Sequence, residues 1–314
     1  MKNNRFFYIL SICFFICGCK TPPIQKVLTT MPVQPRVAQT QQNLKIYFPE
    51  FYEKRGKVYG GDGIVIIFPD NKVMIIDGFV PGAAEQYIDF LHSLGIEKID
   101  YLVATHYHSD HIGTFPKIIE EFEIVDFYSN GAPLDTEVSD LLIKTLEEKQ
   151  INHIILKEGD HLDFGTDCYA QIFWPTLTEQ DLYEIHSKPG RTAAKRNLSS
   201  LVTKLTYKDF SILFPGDVYK VGEKQLVEKY GSQLKSTILK ASHHGEWYTA
   251  NLPEFVQTVS PDYGIIQDNR YITSVISNIY KKAGSKILYR LTYGYMLIET
   301  DGINYQISEK SYIN

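Results

Sequence analysis

Cysteine is nearly absent from the body of this chain. Of its 4 cysteines, Cys13, Cys17 and Cys19 crowd the N-terminus, and only Cys168 lies beyond them. A single thiol excludes an internal disulfide framework and a zinc ribbon of paired cysteines. Positive charge is not in excess either: 32 Lys and Arg face 37 Asp and Glu, a net charge of −5. No global basic field is therefore available to gather nucleic acid. The apolar stretch Phe6 to Ile16 is too short to span a bilayer as a helix. Against these absences stands a hydrophobic fraction of 44% over 314 residues, enough for one large core or two small ones. The 22 tyrosines suggest a surface for sugars or lipid headgroups, but a plain composition bias explains them better.

The N-terminus reads as a targeting segment rather than fold. Lys2 and Arg5 supply a positive start, Phe6 to Ile16 an apolar core, and Ile16-Cys17-Gly18-Cys19 a small residue followed by cysteine. The pattern is similar to a bacterial lipoprotein box, with Cys17 where Ala or Ser is common. It predicts a signal peptide over 1–18, a lipid on Cys19, and attachment to the bacterial cell envelope outside the cytoplasm; an ordinary secretory signal or an uncleaved anchor is the alternative. Residues 19–43, rich in Pro and Gln and without periodicity, read as a flexible tether. The globular body is expected over 44–314.

That body alternates short apolar runs with helical periodicities. Strands are expected at 44–48, 64–68, 73–78, 99–104, 124–128, 201–207, 210–214, 237–241, 262–267, 285–290, 294–299 and 303–308, with short strands between 150 and 175. Helices are expected at 83–94, 113–122, 135–149, 222–230 and 272–283. Residues 177–196 read as a polar, irregular loop near the site mouth. Strands early and late with helices between them predict an α/β layered fold, helices covering two packed sheets.

The chemistry concentrates in Thr105-His106-Tyr107-His108-Ser109-Asp110-His111, an H-x-H-x-D-H pattern directly after the apolar run Ile99 to Ala104. A strand that stops and presents three imidazoles and a carboxylate in one loop builds a metal site. These are ligands that Zn²⁺ takes at about 2.0 to 2.2 Å. Further apolar strands end in residues of the same type: Asp77 after Val73 to Ile76, Asp217 after Ile212 to Gly216, and His243 with His244 after Thr237 to Ala241. Strand ends are where α/β folds place their sites, because the strand fixes the backbone and the loop exposes the side chain.

Gly61-Asp62-Gly63, Met74-Ile75-Ile76-Asp77-Gly78, the His loop with Ile112-Gly113, Asn197-x-x-Ser200-Leu201-Val202, Phe214-Pro215-Gly216-Asp217 and Leu239-Lys240-Ala241-Ser242-His243-His244-Gly245 follow one another in order. Together they resemble the metallo-β-lactamase superfamily, in particular the extracellular hydrolase domain of the DNA-uptake protein ComEC and its stand-alone relatives. The bacterial phosphorylcholine esterase is another relative of this type. The resemblance implies a four-layer αββα sandwich in a single domain. It implies that His106 and His108 hold one metal, Asp110 and His111 a second, that Asp217 bridges them, and that His243 completes the second site. His244 is then the alternative ligand or a donor to substrate, acting with Asp110 and Asp217 in catalysis. Asp77 orients a ligand imidazole, and Asp62 and Asn197 support the site or touch substrate. A third histidine for the first metal is missing from the expected place. His153, His161 and His186 fit a ligand loop poorly, and His92 lies on a helix.

Two ions, zinc or alternatively manganese, would activate a water near neutral pH. The expected function is a hydrolase of a small-molecule or envelope phosphodiester. A nuclease on extracellular DNA, a lactonase or β-lactamase on carbonyl substrates, and a non-catalytic partner-binding lipoprotein are the alternatives. Nucleic acid is the disfavoured partner, because the net charge is negative and no channel or oligonucleotide-binding domain accompanies the body.

Overall fold

Strands that are apolar on both faces must be covered on both faces. The computed structural model, which describes residues 43–52, 59–165, 167–187, 193–268, 272–289 and 294–312, meets that demand with two stacked sheets flanked by helices. In chain order the strands are β1 (Leu44–Glu50), β2 (Ile64–Ile67), β3 (Val73–Ile76), β4 (Lys98–Ala104), β5 (Glu123–Ser129), β6 (Asn152–Ile155), β7 (His161–Asp163), β8 (Cys168–Trp174), β9 (Val202–Tyr207), β10 (Phe210–Phe214), β11 (Ile238–Lys240), β12 (Tyr263–Ile265), β13 (Lys286–Leu288), β14 (Gly294–Thr300) and β15 (Tyr305–Ser311). The helices are α1 (Ala84–Ser93), α2 (Ser109–Ile112), α3 (Phe115–Glu121), α4 (Glu137–Glu148), α5 (Glu179–Ser187), α6 (Ala193–Leu198), α7 (Lys220–Tyr230), α8 (Pro253–Val259) and α9 (Ser274–Lys282).

One sheet runs β15-β14-β1-β2-β3-β4-β5-β6 and the other β13-β12-β11-β10-β9-β8-β7. The strands from β3 to β6 are parallel, as are those from β10 to β13. Alternation along each strand sorts the side chains between three apolar layers. Met74 and Ile76 of β3 meet Ile212 and Phe214 of β10 between the sheets. Val73 and Ile75 face the other way, onto Tyr87 and Phe90 of α1, Ile118 of α3 and Leu142 of α4. Leu213 of β10 and Leu239 of β11 pack outward against Leu226 of α7, Val256 of α8 and Ile276 of α9. The layers are therefore helix, sheet, sheet, helix, as expected. All described residues belong to one compact unit, Thr40–Asn314. Among them no helix is long and apolar enough to cross a membrane. The signal segment, Cys19 and the tether up to residue 42 lie outside the described residues.

Several local expectations are corrected. Residues 177–196 are not an irregular loop where described, but carry α5 and α6. Polar helices with a weak apolar stripe leave little periodicity to read. The helix α8 was not anticipated, although Pro253 opens it. His161 begins a strand, and His186 lies on a helix rather than in a loop.

Candidate metal centre

β3 and β4 run parallel, as do β10 and β11, and side chains that follow their carboxyl ends meet. Asp77 follows β3. Its Oδ1 accepts from the Thr105 backbone N–H at 2.8 Å, and its Oδ2 accepts from Thr105 Oγ1 at 2.7 Å and lies 2.8 Å from His111 Nδ1. The start of the His loop thus hangs from Asp77, which is buried. Asp110 and His111 are not in an open loop but on the short helix α2. From the other sheet, Asp217 follows β10 across Pro215-Gly216. Its backbone N–H donates to Ser200 Oγ at 3.1 Å, and the Leu201 N–H donates to the Thr105 carbonyl at 2.9 Å, which ties the two halves together.

The convergence is on one atom. Asp217 Oδ2 lies 3.1 Å from His111 Nε2, 3.6 Å from His244 Nε2, and 3.7 Å from both His106 Nε2 and His243 Nε2. His106 Nε2 and His108 Nδ1 are 3.0 Å apart. Asp110 Oδ2 lies 3.5 Å from His244 Nε2. Two groups of ligand-type atoms result, each with all its atoms within 4.8 Å of one another: His106, His108 and Asp217, and Asp62, His111, Asp217 and His244.

The two adjacent histidines therefore differ from the expectation. His244, not His243, stands with His111, Asp110 and Asp217. Its Nδ1 is 3.0 Å from Asp62 Oδ1. His243 sits at the partly open rim. Its Nδ1 faces Thr249 Oγ1 at 2.8 Å and Glu246 Oε2 at 3.0 Å, and its Nε2 lies 3.3 Å from Asn197 Nδ2. The sequence could not separate these neighbours, because the backbone decides. Both residues have left-handed backbone, with φ 47° and 55°, a conformation that costs a non-glycine residue energy and concentrates at functional sites. That bend turns His244 inward and leaves His243 outside.

Asp62 and Asp77 do equivalent work. Each is buried and each faces the Nδ1 of an imidazole whose Nε2 looks at Asp217. Asp62 also takes Lys240 Nζ on Oδ2 at 2.8 Å. Lys240, Thr105, Glu246 and Thr249 were missed in the sequence. A lysine inside the apolar run of β11 was the available signal, since a buried ammonium needs a partner. Gly61 makes the Asp62 turn close on the His loop. Its φ is +108°, and a Cβ there would lie 1.9 Å from the Asp110 carbonyl oxygen.

The remaining histidines stay away from the centre. His153 Nε2 is 2.8 Å from Ser129 Oγ, His161 stacks on Tyr169, His186 Nδ1 is 3.3 Å from the Pro133 carbonyl, and His92 pairs with Glu121 at 3.0 Å.

The electrostatics suit a cation. Burial pushes His106 well below its ordinary pKa, helped by His111 and His108, and burial likewise lowers His108 and His243. These rings are neutral and offer lone pairs at pH 7. Burial works against a charged His111 and His244 as well, but the carboxylates of Asp217 with Asp77, and of Asp217 with Asp62, reverse it and hold both rings well above the ordinary value. Burial would raise Asp110 and Asp217 too, yet His111 and His244 hold both well below the carboxylate range. Without an ion, protons on two imidazoles balance the acidic cluster. A divalent cation can take over that balance, since metal binding releases ligand protons. Asp217 Oδ1 and Asn197 Oδ1 are buried with no hydrogen-bond partner among the described residues, as expected of atoms with an ion or ligand to meet. The donor set fits a pair of metal ions.

The family model described as "Metallo-beta-lactamase superfamily" matches residues 59–254, more than half of the chain. Competence protein ComA of Neisseria gonorrhoeae is 25% identical over 245 residues, 77% of this chain and 30% of that protein. ComE operon protein 3 of Bacillus subtilis (strain 168) is 26% identical over 188 residues, 59% of this chain and 22% of that protein. The aligned region thus spans less than a third of either competence relative. A hydroxyacylglutathione hydrolase of Xylella fastidiosa (strain M23) is 25% identical over 65% of this chain and 67% of its own length. Among solved structures, the metallo-beta-lactamase fold protein YhfI from Bacillus subtilis superposes with a TM-score of 0.46 and 11% identity, over 80% of this chain and 98% of that one.

Proposed function

The chain belongs to the metallo-beta-lactamase superfamily as a metal-dependent hydrolase, and we propose that it cleaves a small-molecule or envelope phosphodiester outside the cytoplasm with two zinc ions. One observation carries the hydrolytic reading: four imidazoles stand within 3.7 Å of a single buried carboxylate oxygen, Asp217 Oδ2. In this reading His106 and His108 hold one ion, Asp110, His111 and His244 hold the other, and Asp217 serves both. Bound there, two divalent cations make hydroxide available near neutral pH and neutralise charge building on the oxygens of the reacting group. Imidazole suits zinc, while the carboxylates keep manganese as the alternative.

The chain's own groups have distinct tasks. Asp77 and Asp62 keep the proton of His111 and His244 on Nδ1, so that each Nε2 points its lone pair at the centre. His243, outside the ligand set and held at Nδ1 by Glu246 and Thr249, presents the Nε2 lone pair at the rim, where it would take up the proton that the attacking water releases and return it to the leaving oxygen. Asn197 steadies that ring or meets the substrate.

The substrate assignment rests on the resemblance to DNA-uptake hydrolases, with which the two competence relatives agree. A net charge of −5 weighs against a long polyanion, so DNA stays second to a smaller ester. The hydroxyacylglutathione hydrolase relative supports a carbonyl substrate as the competing reading. A non-catalytic partner-binding lipoprotein is disfavoured by the two groups of ligand-type atoms that meet at Asp217. Envelope attachment through a lipid on Cys19 rests on the N-terminal pattern alone. Mass spectrometry of the native N-terminus tests it, and an intact Met1 would end it.

The deciding experiment is a hydrolysis panel on zinc-loaded protein: bis-nitrophenyl phosphate, nitrophenyl-phosphocholine, single-stranded DNA and a chromogenic cephalosporin. Cleavage of the first two, lost with chelator and restored by zinc, is expected. Cleavage of the cephalosporin alone moves the substrate to the carbonyl class. Turnover that persists without metal overturns the mechanism.

A further inference from the structure

The two imidazoles that face Asp217 from the Asp110 side are braced differently. Behind His111, the donors that hold Asp77 among the described residues are neutral, the Thr105 N–H and Oγ1. Behind His244, Asp62 is held by a charge: Lys240 Nζ donates to Asp62 Oδ2 at 2.8 Å, across 178 residues of chain. Asp62 lies in the turn that leads into β2 of the first sheet and Lys240 in β11 of the second, so the pair also pins the Gly61–Gly63 turn.

Both side chains are buried, at 1% and 3% exposure. A lysine is almost never found so deep without a partner that needs it. Lys240 has a second anchor. Its ammonium is fixed by a second bond, to the Ala241 carbonyl at 3.2 Å. With Oδ2 occupied by Lys240, Asp62 has Oδ1 left for His244 Nδ1 at 3.0 Å. The order is therefore ammonium, carboxylate, imidazole, centre.

We propose that Lys240 is a positioning residue that acts through Asp62 on His244, fixing the ring so that its Nε2 serves the ion held with Asp110 and His111. This rests on the metal-centre reading above and deepens it. Among the described residues Lys240 bonds to Asp62 and to the Ala241 carbonyl, and to none of the imidazoles. It removes the cost of burying the Asp62 carboxylate and sets which oxygen meets the ring. Without it, Asp62 stands as a buried anion with a free oxygen and no fixed orientation. Partners of this kind typically change metal affinity by about ten- to a hundredfold.

The test is a zinc titration of the chelator-stripped full chain against a chromophoric competitor, for wild type, Lys240→Met, Asp62→Asn and the double variant. Wild type should take up two ions. Lys240→Met should weaken one of them at least about tenfold and leave the other within about twofold. Asp62→Asn should weaken the same ion, and the double variant should be no worse than the poorer single one, because both changes act through one ring. A lysine that merely fills space would give losses that add, or that strike both ions equally, and either result overturns the proposal. So does an unchanged affinity in folded Lys240→Met. If Lys240→Met does not fold, the double variant, with no unpaired buried charge, is compared with Asp62→Asn: equal affinities support the proposal and a further loss overturns it. Wild type that binds no zinc overturns the metal-centre reading itself, and this inference with it.

Discussion

His111 Nε2 stands 3.1 Å from Asp217 Oδ2, across 106 residues of chain. The contact joins the first sheet's His loop to the second sheet's β10 turn. It makes Asp217 the group on which both halves depend. Asp217→Asn keeps the shape but removes the negative charge that offsets two dications. Activity should fall at least about a hundredfold, with zinc content reduced at both sites. Asp77→Asn should be milder, about tenfold, because an amide oxygen can still accept from His111 Nδ1. Kinetics and elemental analysis of the two variants side by side check this. The reverse ranking would mean that the two aspartates have exchanged roles.

The neighbours His243 and His244 should separate cleanly. His244→Gln should lose one zinc ion and nearly all turnover, since its Nε2 faces Asp110 and Asp217. His243→Gln should keep both ions and lose turnover by about a hundredfold, the usual scale for a proton-transfer group. Zinc stoichiometry decides. One ion in His243→Gln and two in His244→Gln would restore the assignment expected from the sequence pattern.

Much of this is legible in the sequence. Apolar runs ending in His, Asp or His-His located the strand ends at Asp77, His106, Asp217 and His243, because a buried strand has a strong pattern and its terminus is sharply marked. Two things were not legible. Left-handed backbone at consecutive histidines has no signature in side-chain type, so which ring turns inward could not be read. The pairing of Lys240 with Asp62 spans both sheets, and a contact of that range leaves no local periodicity. The polar helices α5 and α6 escaped for a different reason: their apolar faces are too weak to set a period.

Gly61→Ala should be costly although it adds one methyl group. The residue has φ +108°, and its Cβ would fall 1.9 Å from the Asp110 carbonyl oxygen. Backbone in that region strains any L side chain, and here the obstacle is backbone too. We expect a loss of at least about 2 kcal/mol in unfolding free energy, together with weakened metal binding, because Asp62 and Asp110 are displaced at once. Denaturant unfolding measures the first and zinc titration the second. An alanine variant of native stability would show that the turn does not press on the His loop.

The final prediction concerns pH. Glu50, at the end of β1, is buried, with Oε1 accepting from the Asp268 N–H at 3.1 Å and Oε2 without a partner among the described residues. Burial is the largest cause of its shift, and its pKa is pushed up from 4.5 to about 8. The Asp268 N–H and Lys240 pull the other way, while Asp268 and Asp62 add repulsion. The sign follows from linkage. A group with a raised folded pKa holds its proton in the folded state after the unfolded chain has released it. Its stabilising contribution is therefore complete below pH 4.5 and is lost as pH rises to about 8. The slope cannot exceed one proton, about 1.4 kcal/mol per pH unit. Glu50→Gln has no such proton and should lack that slope. In zinc-loaded protein, the stability of wild type relative to Glu50→Gln should fall steadily from pH 5 toward about 8 and level off above it. Urea midpoints at four or five pH values would show the trend. Parallel profiles for the two proteins would mean that Glu50 is ionised in the folded chain, with Lys240 shared between it and Asp62.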